Sequence, residues 1–329
     1  SEITFNYIIW DKAGNETNAL SDGTTFHIDE ILPTIELDTL YSNNVLSSNW
    51  ATSLDTIYIS FIATEGLKSP VTTLLEDTLI NNSTSNGTIW SAAKLVGLND
   101  PNGAISFNFS YMDTAGNIGE TLENQNVSEI KIDKSSPIIS DIKEGENNQD
   151  LPYYNKADSL SLYWTQIDSL SGIREIYYSL GSENNLTDVV GGTLGSLNNF
   201  AGINGLNLIN ESTYYGNAFV RDSAGNYSDT IWGNGITIDT QIPDTGRISD
   251  GQWIFEMDYT IDSTYLEYSY EGFSDNIDIL SYELSIGTIN DTTNILDWTS
   301  TDSTSQVSLS GFELDRDILY YTYIRAIDL

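Results

Sequence analysis

Cysteine is absent from the chain, which excludes disulfides, thiolate nucleophiles and thiolate metal sites. Histidine occurs once, at His27, between Phe26 and Ile28 on an alternating segment. Both neighbours should face inward, so the imidazole is expected in solvent. That removes His-rich zinc sites and leaves Ser-His-Asp catalysis without a base. Basic side chains are scarce too: 12 Lys and Arg stand against 48 Asp and Glu, a net charge of −36. Such a surface repels phosphate backbones and anionic lipid, so nucleic acid and membrane surfaces are poor partners. No apolar run reaches the ~18 residues of a bilayer span. Residues 1–10 show no basic segment followed by an apolar stretch, so no signal peptide is expected there.

Carboxylates are what the chain has in excess. They suit a salty medium, where screening is short-ranged, and they bind divalent cations directly. With 48 acids scattered over loops, no pair stands out as a glycoside-cleaving couple. The glycines of GGTLG (191–195) lack the Lys and the strand-to-helix setting of a phosphate loop and read as a surface loop. No enzyme is expected.

Repeats organise the rest. The phrase Asp-x-Ala-Gly-Asn begins at Asp11, Asp113 and Asp222. A second signature follows each copy: FHIDEILP (26–33), IKIDKSSP (130–137) and ITIDTQIP (236–243). Each is an alternating strand ending in Asp, then three residues, then Pro. Three of the six prolines, Pro33, Pro137 and Pro243, fill this one slot at spacings of 104 and 106 residues. The last two units superpose at a constant offset of 106, placing Trp164 on Tyr270, Tyr214 on Tyr320 and Asp222 on Asp328. By that register the chain is expected to open inside one repeat and to end inside another.

Strand signals are dense. TIYISFIA (56–63), AISFNFSYM (104–112), DSLSLYW (158–164) and YTYIRAI (321–327) alternate with period two between Gly, Asn and Asp turns. Many short strands in about 100 residues imply an antiparallel β-sandwich. The units at 137–240 and 243–329 resemble fibronectin type III-like modules of bacterial surface proteins. The resemblance rests on Trp164 and Tyr270, on STYYGNAFVRDSAGN and on ILYYTYIRAID. It places corner tyrosines at Tyr214 and Tyr320. The units ending near 31 and spanning 33–133 are similar to bacterial Ig-like domains, with Ile3 and Ile105 at the tyrosine position. The expected organisation is the C-terminal strands of an Ig-like domain at 1–31, an Ig-like domain at 32–135, and fibronectin type III-like domains at 136–241 and 242–329. The fold class is all-β, with tandem sandwiches in an elongated array. Pro stiffens each Asp-to-Pro linker, because it fixes its own φ and restricts the residue before it.

Two readings of the recurring acids stand side by side. In the first, the phrase is a hairpin turn: Asp accepts bonds from N–H groups two or three residues on, Gly takes positive φ, and Asn tolerates it. In the second, suggested by cadherin-like surface proteins, a linker Asp faces two acidic loops of the following domain and the three hold calcium. The sets are Asp133, Asp168 and Asp222; Asp239, Asp275 or Asp278, and Asp328; and Asp29 or Glu30, Glu65 and Asp113. The expected role is a stalk, fibre or filament of an extracellular, cell-surface protein, whose partners are neighbouring copies or other surface proteins. An adhesin or carbohydrate-binding array is the alternative, favoured by an exposed row among Trp90, Trp232, Trp253 and Trp298. Spacer modules of a secreted hydrolase are another.

Overall fold

The structure, a computed structural model, describes residues 2–3, 8–16, 26–123, 130–251, 257–301 and 306–328. Among them there is no helix, and the fold is all-β with antiparallel sheets predominating. The chain forms two compact units. The first comprises Ser1–Ile139, Gln166–Ile176 and Phe219–Asp229; the second comprises Ser140–Thr165, Tyr177–Ala218 and Thr230–Leu329.

In the first unit the strand Thr56–Ala63 shows how alternation becomes a core. Ile57, Ile59, Phe61 and Ala63 are buried while Tyr58 and Ile62 face out, as a period of two demands. It lies between Ile35–Ser42 and Ile89–Leu95 in a four-stranded sheet. A second sheet pairs Val71–Leu74 with Phe107–Ser110. The Phe61 ring, from the first sheet, stacks on Phe109 of the second with centroids 4.0 Å apart. The two sheets therefore form a sandwich, closed by Leu74, Ile130 and Ile132. Each fully buried ring or branched side chain contributes about 2–3 kcal/mol of transfer free energy.

The second unit repeats the device. Tyr268, on Tyr265–Glu271, shares a core with Leu284 and Ile286 on Ile279–Thr288, a strand of a different sheet. Elsewhere in this unit Leu160, Leu162 and Trp164 are buried on alternate positions of one strand. Tyr214 and Tyr320 close their corners alike. The Tyr214 hydroxyl accepts a bond from Ile209 N at 2.9 Å, and the Tyr320 hydroxyl one from Asp315 N at 2.9 Å. Tyr214→Phe should therefore cost about 1 kcal/mol in urea unfolding, the worth of one neutral bond. No change would mean that the corner is held by packing alone.

Several expectations change on contact with the structure. GGTLG is not a loop: Val190–Leu194 is a strand paired with Ile173–Gly181, although largely exposed. The paired partner was invisible because two glycines lower strand propensity without forbidding it. His27 is exposed as expected, but Ile28 is exposed as well, at 49%. The segment AISFNFSYM splits into Gly103–Ala104 and Phe107–Ser110. Trp253 and the side chain of Ile3 lie outside the described residues.

Candidate acidic joint sites

The repeated phrase builds the same turn three times. Asp N donates to the carbonyl of the phrase's Asn at 2.9 Å for Asp11 and 3.0 Å for Asp113 and Asp222. The Asp carboxylate then accepts the Asn N–H, from Asn15 at 3.0 Å, Asn117 at 2.9 Å and Asn226 at 2.8 Å. Gly14, Gly116 and Gly225 adopt φ of 88°, 102° and 102°, the left-handed region where Gly carries no Cβ penalty.

The Asn has a different task from the one expected. None of Asn15, Asn117 and Asn226 has positive φ. Its side-chain amide is what the turn needs. Asn117 Nδ2 donates to Asp113 Oδ2 at 2.7 Å and to the linker carbonyls of Asp29 and Ile31 at 3.1 and 3.3 Å. Asn226 Nδ2 donates to Asp222 Oδ2 at 2.7 Å and to the linker carbonyl of Asp133 at 3.0 Å. The phrase thus grips the preceding linker. The linker answers with a turn of its own: the carboxylates of Asp29, Asp133 and Asp239 accept the N–H two residues on, from Ile31, Ser135 and Gln241.

Acids gather at these places. Asp29, Glu65 and Asp113 form one cluster, Asp133, Asp168 and Asp222 a second, and Asp239, Asp275 and Asp328 a third. Within each, one carboxylate oxygen per residue lies within 4.8 Å of the other two. Of the alternatives left open by the sequence, Asp29 rather than Glu30 and Asp275 rather than Asp278 take part. Asp278 instead accepts the N–H of Ile279. The first two clusters lie in the first unit and the third in the second unit. Asp113, Asp133 and Asp222 are fully buried, and Asp239 is 2% exposed.

Electrostatics follows from burial and donors. Asp11, in an exposed copy of the turn, has its pKa lowered, first by the Asn15 side chain and then by its N–H. In Asp113 burial works against the charge, yet the Asn117 and Gly116 donors outweigh it and the pKa is again lowered. In Asp222 burial prevails over the same donors, helped by the neighbouring Asp133 charge, and the pKa is raised. Glu65 is raised by burial and then by Asp29 and Asp113. Two like charges ~5 Å apart repel by roughly 3 kcal/mol at an effective dielectric of about 20. A divalent cation would convert that repulsion into attraction.

The donor set fits calcium. All the side chains are hard oxygen donors, and an ion with ligands at ~2.3–2.6 Å requires them to lie within ~5 Å of one another. The Oδ2 of Asp239 is buried without a hydrogen-bond partner, which leaves a carboxylate lone pair open to an ion.

Around the second cluster, Thr52 Oγ1 donates to Asn226 Oδ1 at 2.6 Å and Asn44 Nδ2 to the Ala224 carbonyl at 2.7 Å. Sequence reasoning missed these two, since loop residues of one repeat carry no sign of what the next repeat brings to them. It missed Glu144 as well. This carboxylate, at the end of the strand Ile138–Gly145, is fully buried. Its Oε1 accepts Gly216 N at 2.9 Å, its Oε2 has no partner, and Gly233 packs so closely that a Cβ there would clash. Asp150 sits beside it, accepting Glu144 N at 3.1 Å and Asn234 Nδ2 at 3.0 Å. Burial, the strongest influence, pushes the Glu144 carboxyl up to about 7.

Aromatic faces are modest. Trp90, Trp232 and Trp298 are half-buried; Trp90 Nε1 donates to the Gly87 carbonyl, and the Arg325 guanidinium lies over Trp298. They form no exposed row. An outward pair does exist, Tyr41 and Tyr58, stacked across strands at 5.1 Å.

No family profile matches the chain, and no curated protein does. Among solved structures it is similar to the chicken CNTN1 FN1–FN3 domains, at 10% identity and a TM-score of 0.37, covering 90% of this chain and 93% of that one. It is similar also to titin domains A168–A170, at 10% identity and a TM-score of 0.36, with the same coverages. At these scores neither likeness bears on function. Among the described residues no helix is long and apolar enough to cross a membrane.

Proposed function

We propose that the chain is a non-catalytic structural segment, a stalk, fibre or filament of a large extracellular surface protein, whose acidic joints hold calcium. The observation that supports this most is recurrence. Three carboxylates converge three times, each time uniting a linker Asp, a loop acid and either the Asp that heads the repeated phrase (Asp113, Asp222) or the Asp that falls on it by register (Asp328). An enzyme needs one such site; a string of modules needs one at every joint. Residues Asp29, Glu65 and Asp113 would hold the first ion, Asp133, Asp168 and Asp222 the second, and Asp239, Asp275 and Asp328 the third. Bound calcium would neutralise the repulsion and tie linker to loops, so that the joint resists bending. The net charge of −36 keeps such a segment soluble and draws cations to it.

Melting decides the calcium part. A ligand at one hundred times its Kd stabilises by about 2.7 kcal/mol, so millimolar calcium added after chelation should raise the midpoint by about 5 °C or more. An unchanged midpoint ends the calcium reading. Small-angle scattering of the same sample addresses the stalk, which a compact globule would rule out.

A further inference from the structure

The three clusters are not equally satisfied by their own hydrogen bonds. In the second, every carboxylate meets N–H donors. Asp133 takes those of Ser135 and Ser171, Asp168 those of Leu170 and Gly172, and Asp222 those of Gly225 and Asn226. In the third, Asp239 spends Oδ1 on Gln241 N and on Asn276 Nδ2, at 3.2 and 3.3 Å, and its buried Oδ2 meets no donor. Asp275 gives Oδ2 to Ile277 N at 2.9 Å, while its Oδ1 is buried without a donor. The side-chain carbonyl of Asn276 is buried and donor-less as well.

Buried acceptors without donors are costly, and native proteins rarely leave several together. These three oxygens cannot relieve one another, because an ionised carboxylate and an amide carbonyl only accept. A cation among the carboxylates can relieve the two Asp oxygens, and Asn276, whose amide donates to Asp239 Oδ1, lies beside them. Calcium in particular mixes carboxylate and amide-carbonyl ligands in irregular geometry, which magnesium tolerates poorly. In the second cluster the linker carboxylate, Asp133, is filled instead by the N–H of Ser171.

Resting on the calcium reading above, we propose that the Asp239–Asp275–Asp328 cluster, completed by the Asn276 carbonyl, is the tightest calcium site of the chain. The Asp133–Asp168–Asp222 cluster, already held by backbone donors, binds more weakly. The first ion to enter therefore fixes the last joint, and stiffness spreads to the others only at higher calcium.

Calorimetric titration of the chelator-washed chain with calcium chloride tests this, with near-UV dichroism in chelator confirming that each variant folds. Asp239→Asn and Asn276→Leu should weaken the tightest site by roughly 10-fold or more, the loss typical of a removed ligand or its neighbour. Asn276→Asp keeps an oxygen there and should bind within about 3-fold of the parent or tighter, and Asp222→Asn should leave the tightest site within about 3-fold. If Asp222→Asn abolishes tight binding while Asp239→Asn and Asn276→Leu titrate like the parent, the ranking is wrong and the calcium reading survives. Equal weakening by Asn276→Leu and Asn276→Asp removes Asn276 from the ligand set. A parent chain with no calcium heat at all overturns both.

Discussion

Glu144→Gln is expected to stabilise the chain by about 3 kcal/mol at pH 8 and to change it little at pH 4. The carboxyl is raised from 4.5 to about 7 in the folded chain, chiefly by burial. Below 4.5 it is protonated in both folded and unfolded states and costs nothing. Between 4.5 and 7 the unfolded chain has released its proton and the folded chain has not, so stability falls as pH rises, by ~1.4 kcal/mol per unit. Above 7 both are ionised and the full penalty of a buried, half-satisfied carboxylate remains. Gln keeps an oxygen for Gly216 N and puts an amide donor towards Asp150, which accepts near Glu144 already. Urea unfolding of parent and variant at pH 4, 6 and 8 measures the difference directly, because the other 47 acids cancel between them. Parallel pH profiles would show that Glu144 is not the buried acid this geometry makes it.

Glu144 also marks where sequence reasoning stopped. Alternation made the cores legible: Ile57, Ile59 and Phe61, and then Leu160, Leu162 and Trp164, are buried where a period of two puts them. An acid on such a strand reads as outward by default, and only the close approach of Gly233, 89 residues on, makes it inward. Contacts between distant loops leave no local pattern. The acid clusters were legible for the opposite reason. Three repeats supply three independent alignments of linker, loop and turn, so that position within the repeat stands in for position in space. Even there the sequence left Asp275 and Asp278 open, since both lie in one loop and register alone does not choose between neighbours. Asn276 carried no flag either, because the residue that follows the loop acid Asp168 is Ser169, not Asn. The role of the phrase's Asn was misjudged because turn chemistry explains Asn by φ, whereas here its side chain bridges two segments.

The same phrase should not cost the same when it is broken in different copies. Asp113→Ala in chelator should lower the melting midpoint of the domain that contains it by about 10 °C, because it removes a fully buried carboxylate that holds the N–H groups of Gly116 and Asn117 and the amide of Asn117. Asp11→Ala, in a copy whose residues are all exposed, should leave the midpoint within about 1 °C, since water replaces the lost acceptor. The pH dependence carries a sign as well. The Asp113 pKa is lowered by its donors against the pull of burial, so the stability it contributes is present above the unfolded pKa and lost as pH falls through the folded value. Asp113→Ala should therefore flatten the acid limb of the profile, the reverse of what Glu144→Gln does to the neutral limb. Were Asp113→Ala as mild as Asp11→Ala, the turns with a buried Asp would be ornaments on sandwiches that hold their joints by other means. The acids would then be gathered there for a cation alone.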